Sequence, residues 1–253
     1  MSQNRRKFLS IAALTSGAMS LSGNLFAGNR LKEEEYDLPS SISNLKPMVD
    51  GIVPISIEER KQRITKAQEL MSKEKIDAIF LEGTASSFYF TGMRWGQSER
   101  TFGLVIPASG AIAYVCPKFA EDRAMELINP VFGDEVRCWE EHESPFALIA
   151  GIVKDRGVKH KRIGMEERVR FFIADGVKKA APGFEIVDAT PITAGCRMYK
   201  SKAEIALMQK SSDITIEAYK AALQPSDPIC RRQRSAETFL QPLESLAIPG
   251  VPW

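Results

Sequence analysis

The stretch 77–116, DAIFLEGTASSFYFTGMRWGQSERTFGLVIPASGAIAYVC, decides the fold. Asp77-Ala78-Ile79-Phe80-Leu81 is a short apolar run of the kind that forms a strand covered on both faces. Residues 102–106 and 111–116 are two more such runs. Ala108-Ser109-Gly110 separates them, so they read as the arms of a hairpin. A hairpin beside a buried strand gives a sheet with antiparallel pairs. Whether parallel strands join it depends on what flanks the stretch.

Upstream, Ser56-Ile57-Glu58-Glu59 forms a capping box. The serine hydroxyl takes a free amide of the first turn, and the glutamate three residues on is expected to bond back to the serine amide. Ile64, Ala67, Leu70 and Met71 follow at helical spacing. Downstream, 119–128 reads as a helix and 135–139 as a strand. Ser144-Pro145 caps a helix that Gly157 closes. Then come a strand at 162–165, a helix at 169–181 stopped by Pro182-Gly183, and a strand at 184–189. Helices alternating with strands imply an α/β fold whose mixed β-sheet is flanked by helices. A second capping box, Ser201-Lys202-Ala203-Glu204, launches a helix through Leu223. Ile205, Met208, Ile216, Tyr219 and Leu223 form a stripe on it that needs a partner surface.

The two ends differ from this body. Residues 1–27 hold Arg5-Arg6-Lys7-Phe8-Leu9, a mildly apolar stretch and then small residues up to Ala27, the order of an export signal with twin arginines. The expectation is a periplasmic or otherwise exported protein that meets the membrane only during export. Residues 28–55 are polar and proline-punctuated and read as a linker. Residues 224–253 carry Pro225, Pro228, Pro242, Pro249 and Pro252 and read as an irregular tail. The expected organisation is 1–27 signal, 28–55 linker, 56–193 α/β domain, 194–223 leading helix of a further domain, and 224–253 tail.

The chain has 253 residues, 44% hydrophobic and 26% charged, so a core of useful size can be buried. Its 34 basic and 32 acidic side chains leave a net charge of +2, which argues against a nucleic-acid partner. Four cysteines without a CxxC pair are too few for a disulfide framework and read as small buried apolar groups. One pair could still oxidise in an exported protein, and the sequence does not choose which.

Three segments in order carry a family resemblance. Phe88-Tyr89-Phe90-Thr91-Gly92 follows the first strand. Trp95 and Ser98-Glu99-Arg100 precede the second. Arg197-Met198-Tyr199-Lys200-Ser201-Lys202-Ala203-Glu204-Ile205 leads into the last helix. Together they resemble the N-terminal domain of creatinase, prolidase and Xaa-Pro aminopeptidases and the junction into their catalytic domain, over about 56–223. The resemblance implies an α/β domain that shapes the mouth of the substrate site and packs against a neighbouring subunit. It also implies a second domain of pita-bread fold, whose two Asp, one His and two Glu hold two divalent metals that activate a water. Creatinase-like members use that fold on other C–N bonds without the metal pair.

No histidine follows His160, and the acids after the junction (Glu204, Asp213, Glu217, Asp227, Glu237, Glu244) fall on the leading helix or in the tail. The expectation is therefore no metal and no cofactor held by this chain, no catalytic residue in it, and a fragment silent on its own. Two alternatives are a stand-alone binding or oligomerisation module and one half of a split metallopeptidase. A homo-oligomer or a missing catalytic domain would be the partner.

Within the chain, Arg94, Trp95, Ser98, Glu99 and Arg100 are the candidate substrate-binding residues. By the resemblance their loop faces the catalytic mouth, where an arginine could bind a substrate carboxylate through two parallel hydrogen bonds. An internal ion pair of Glu99 with Arg100, or one made by Arg94, would serve as well to hold the loop. Cys138 and His142 stand four apart but straddle a predicted strand end, so they read as a chance pair among surface acids rather than metal ligands. Cys116, Cys138 and Cys196 lack a histidine in any recognisable nucleophile context.

Overall fold

The computed structural model describes residues 40–223. Arg5 and Arg6, with the rest of the expected export signal, and the tail from 224 lie outside the described residues. The elements, in order, are α1 (Ser40–Ser43), α2 (Ile57–Glu74), β1 (Ala78–Glu82), α3 (Ala85–Thr91), β2 (Gly103–Pro107), β3 (Ala113–Pro117), a 3₁₀ turn (Lys118–Ala120), α4 (Glu121–Leu127), β4 (Glu135–Trp139), α5 (Pro145–Asp155), β5 (Arg162–Met165), α6 (Phe171–Ala180), β6 (Glu185–Asp188), α7 (Thr190–Arg197) and α8 (Lys202–Leu223). The chain divides into two compact units, Asp50–Asp213 and one that includes, among the described residues, 40–49 and 214–223.

In the larger unit the strands form one six-stranded sheet in the order β4-β3-β2-β1-β5-β6. The hairpin pairs are antiparallel, β1 with β2 and β2 with β3. The outer pairs are parallel, β3 with β4, β1 with β5 and β5 with β6. The sheet is therefore mixed, as the sequence predicts. The three central strands are buried at every position, which is why they read as continuous apolar runs instead of alternating ones. Alternate side chains serve two cores. Ile79, Leu81, Leu104, Ile106, Tyr114 and Cys116 face Ala67 and Met71 of α2, Phe90 of α3 and Ile192 and Cys196 of α7. Ala78, Phe80, Val105, Ala113 and Val115 face Ile149, Ile152 and Val153 of α5 and Ile173 and Val177 of α6.

Local chemistry sets the element ends. Ser56 Oγ accepts the Glu59 amide at 3.1 Å, and Lys75 ends α2 in the left-handed conformation. Ser144 Oγ accepts the Ala147 amide at 3.3 Å, with Pro145 in the first turn. Buried Asp77 joins β1 to the segment before β5, its carboxylate accepting the amides of Lys159, His160 and Arg162 at 2.8–3.1 Å. Burial alone would raise the Asp77 carboxyl, but these amides and the nearby His160 hold it below its ordinary value.

Three helices are additions to the sequence reading, the first being α1, a single turn within the stretch read as a linker. α3 occupies the aromatic segment before Gly92, and α7 precedes the junction. In the smaller unit Ile42 is buried, and Ile214 and Ala218 pack with Leu45 and Met48.

Candidate functional site

The carboxyl ends of the parallel strands β1 and β5 lie side by side near the centre of the sheet, the place where open α/β sheets form crevices. Each ends in a buried acid. Glu82 closes β1 and is 1% exposed; Arg170 meets it with Nη2 at 2.7 Å, with Nε, and with its own amide at 2.9 Å. Glu166 follows β5, is 2% exposed, and accepts the hydroxyls of Ser86 and Thr84. Burial pushes the Glu166 carboxyl above the usual carboxylate range and Glu167 adds to the shift, whereas the two hydroxyls and Arg197 oppose it. Arg197 Nη1 donates to Ser86 Oγ at 3.1 Å, so the last residue of α7 is tied through Ser86 to the end of β5.

The segment after Arg197 is hooked back just as closely. Lys200 Nζ donates to the carbonyls of Arg197 and Met198 at 2.6 and 3.3 Å. Ser201 and Glu204 form the reciprocal capping box expected of them, Glu204 N to Ser201 Oγ at 3.1 Å and Ser201 N to Glu204 Oε2 at 2.8 Å. The first box closes only half-way, because Glu59 turns its carboxylate elsewhere. Glu59 Oε1 accepts Arg63 Nη2 at 2.7 Å and Ser201 Oγ at 2.8 Å. Arg63 also meets Glu204 at 3.3 Å, donates to the Tyr89 carbonyl at 2.8 Å, and lies 4.0 Å over the Tyr89 ring. The two capping boxes are therefore cross-linked through Arg63. Burial lifts the Tyr89 phenol to about 12, and its hydroxyl donates to the Cys196 carbonyl at 3.0 Å.

These groups border a cavity of about 660 Å³ whose walls include Arg60, Phe88, Tyr89, Glu167, Arg197 and Met208. Arg60 Nη1 donates to the Phe88 and Tyr89 carbonyls at 2.5 and 3.0 Å.

The residues of the loop singled out in the sequence do not converge on one point. Trp95 stacks on Phe102 at 3.7 Å and packs against the core. Arg100 pairs with Glu99, and its Nε meets Glu141 at 2.5 Å. Ser98 gives its carbonyl to Arg170 Nη1 at 2.6 Å, and its hydroxyl accepts the Arg100 amide at 3.3 Å. Arg94 is exposed, 5.4 Å over the ring of Phe88, which it shares with Arg60. Of the set, Arg94 alone is positioned beside a wall of the cavity. His142 and His160 are exposed, and Cys138 lies on β4. Among the described residues no three His, Cys, Asp or Glu side chains come together, so this donor set does not fit the divalent metal pair that the resemblance implies.

The sequence model of the creatinase/prolidase N-terminal domain matches residues 63–199. The chain belongs to the creatinase/prolidase N-terminal domain family. An uncharacterized peptidase of Schizosaccharomyces pombe is 30% identical over 196 residues, 73% of this chain and 42% of that protein. Creatinase from a Bacillus species is 25% identical over 163 residues, 63% of this chain and 38% of that enzyme. The chain thus spans less than half the length of these relatives. The crystal structure of a prolidase from Thermococcus sibiricus superposes with a TM-score of 0.62 at 20% identity, over 76% of this chain and 49% of that one, which establishes the shared fold. The matched segment runs from Arg63 to Tyr199. Both capping-box helices thus meet at its borders, and the buried acids at the strand ends lie inside it.

The sequence reading did not pick out Glu82, Glu166, Arg170 or Arg63. A charged residue at the end of an apolar strand is a legible signal for the two acids. Arg170, which answers Glu82, carries none, since it stands 88 residues away; Arg63 is four residues from Glu59, but its second acid, Glu204, is remote.

Proposed function

We propose that this creatinase/prolidase N-terminal domain is the substrate-side half of an exported C–N hydrolase of the Xaa-Pro peptidase and creatinase type. The metal chemistry of that enzyme belongs to a pita-bread domain, and the 253-residue chain is silent without one. Arg94, beside the cavity rim, is the loop residue in reach of a substrate carboxylate; Trp95, Ser98, Glu99 and Arg100 hold the loop that presents it.

One observation carries this reading: the polarity of the junction is inverted. Arg197, Ser201 and Glu204 turn their polar groups inward to Ser86, Glu59 and Arg63. In the same stretch Met198, Tyr199, Ile205 and Met208 are 64%, 78%, 56% and 55% exposed. A surface that turns Arg197 and Glu204 inward, leaves only Lys200 and Lys202 outward as charges and displays its large apolar side chains suits a second domain seated there. The absence of any histidine after His160 supports assigning the metal ligands elsewhere.

The test is an Xaa-Pro dipeptide and creatine hydrolysis assay with Mn²⁺, Co²⁺ or Zn²⁺ and metal content read on the same sample. The chain alone should show no turnover and no stoichiometric metal. Fusing the catalytic half of a relative after Leu223 should restore turnover, and Arg94→Ala in that fusion should raise KM more than it lowers kcat. Turnover with stoichiometric metal in the chain alone would sink the proposal. For export, Arg5→Lys with Arg6→Lys should leave the precursor in the cytoplasm; unchanged secretion would refute that part.

A further inference from the structure

β3 and β4 are parallel neighbours, and their register sets Cys116 directly opposite Cys138. Residues opposite each other in a parallel pair leave the sheet on the same side. Here both side chains join the same core cluster, Cys116 within it and Cys138 packed against it. Adjacent strands stand about 4.8 Å apart, inside the range of roughly 4.4–6.8 Å that disulfides span between Cα atoms. The two thiols are neighbours that feel each other electrostatically, and both are free in the structure. We propose that Cys116 and Cys138 are a disulfide site, closed by thiol–disulfide exchange once the protein is in an oxidising compartment.

The facing Cβ atoms are set by the strand spacing, about 1 Å wider than the roughly 3.8 Å of a typical disulfide. β4 can close that gap, because among the described residues it is the outermost strand and pairs only with β3. The thiols differ in access. Cys116 is fully buried with its Sγ 3.3 Å from the Pro117 carbonyl, whereas Cys138 is half-buried, with the Glu121 carboxylate nearby. The reaction starts at Cys138. Its thiol loses a proton to solvent, and the thiolate attacks a small disulfide R′S–SR′, releasing one R′S⁻ and forming a mixed disulfide. The Cys116 thiolate, its proton also lost to solvent, then attacks Cys138 Sγ and expels the second R′S⁻. The two thiols of the protein are oxidised, the small disulfide is reduced to two thiols, and the two protons end on them. Burial raises Cys116 to about 12 and Cys138 to about 11, so exchange in the folded state is slow. The bond is therefore a slowly formed structural staple, holding the edge strand to the sheet, and not a rapid switch.

The full chain, reduced and unfolded in urea, is diluted into a mixture of reduced and oxidised glutathione at pH 8 and quenched with N-ethylmaleimide. Cleavage at Lys118, Arg123 and Arg137 places the two cysteines on different tryptic peptides. The expected product is two hydrogens lighter, its free thiols falling from four to two, with the peptides of Cys116 and Cys138 joined. Cys138→Ser should keep its three thiols free, isolating the pair from Cys196 and Cys230. Four alkylated cysteines, a bridge through Cys196 or Cys230, a covalent dimer, or a lasting glutathione adduct on Cys138 would each overturn the assignment.

Discussion

Replacing Arg63 by methionine tests the joint between the two capping boxes. The Arg63 side chain is 8% exposed, and the acids it bridges, Glu59 and Glu204, are 20% and 17% exposed. Methionine keeps the aliphatic stem against Tyr89 and removes the cation, leaving two carboxylates facing each other with Ser201 between them. Removing one partner from a buried ion pair costs about 3–5 kcal/mol. Each acid retains some contact with water, so the low end applies, about 3 kcal/mol, with the lost bond to the Tyr89 carbonyl included. For a chain of this length that corresponds to a fall in Tm of roughly 6–12 °C. Thermal and urea melts of the unaltered chain, Arg63→Met, Glu204→Gln and the double variant give the coupling directly. Without the cation a neutral amide is the better neighbour for Glu59, so Glu204→Gln should recover about 1 kcal/mol in the Arg63→Met background while costing stability in the parent. Arg63→Lys should fall between, because a lysine keeps the charge and loses the fork that reaches both acids. If Arg63→Met costs less than about 1 kcal/mol, or the two changes simply add, the cross-link does not hold the junction and the reasoning fails.

Three further expectations rest on the same structure. Asp77, held low by backbone amides, contributes stability that is present above the unfolded carboxyl value of 3.8 and lost as pH falls through its folded value. Asp77→Asn should therefore cost about 2 kcal/mol at pH 7, with the gap to the parent closing in acid, as read from Tm between pH 3 and 7. Glu166, held high by burial, has the opposite sign: its contribution is full below the unfolded value of 4.5 and is lost as pH rises. Glu166→Gln should gain on the parent from pH 4 to 7, and a constant difference would contradict this. Gly133→Ala places a Cβ 2.0 Å from the Ile112 carbonyl at φ +146°, whereas Gly110→Ala at φ +96° meets nothing within 4 Å. Circular dichroism melts should show Gly110→Ala losing about 1 kcal/mol of strain and Gly133→Ala at least about twice that.

Much of this fold was legible because its signals are local. The strands at 135–139 and 162–165 coincide with β4 and β5, and the caps at Ser56, Ser144 and Ser201 start their helices where the side-chain chemistry requires. α3 escaped because Thr84 makes no capping bond and its run of serines and aromatics has no helical period. α7 left a trace, Pro191 in its first turn and Ile192 and Cys196 four apart and buried, which a Gly-containing stretch obscured. The pairing of β1 with β5 joins residues more than 80 apart, and nothing in either strand names the other. The candidate loop shows the same limit. The Glu99–Arg100 pair is written in adjacent residues, but Glu141 and Arg170, which complete the loop's anchoring, come from 41 and 72 residues away.

The inverted polarity of the junction separates two kinds of surface. A stretch that bound a small ligand would present its charges outward, where they could meet the ligand. Here Arg63, Arg197 and Glu204 are already matched within the chain, and a ligand would have to break a buried pair to reach them. Large apolar side chains are displayed beside the exposed Lys200 and Lys202: Met198, Tyr199, Ile205 and Met208. Burying four such side chains against a partner contributes on the order of 1.5–3 kcal/mol each, enough to seat a domain but unselective towards a small polar substrate. The joint therefore fixes direction from within and offers adhesion without. Arg94 is exposed instead, 5.4 Å over the ring of Phe88, which is itself a wall of the cavity.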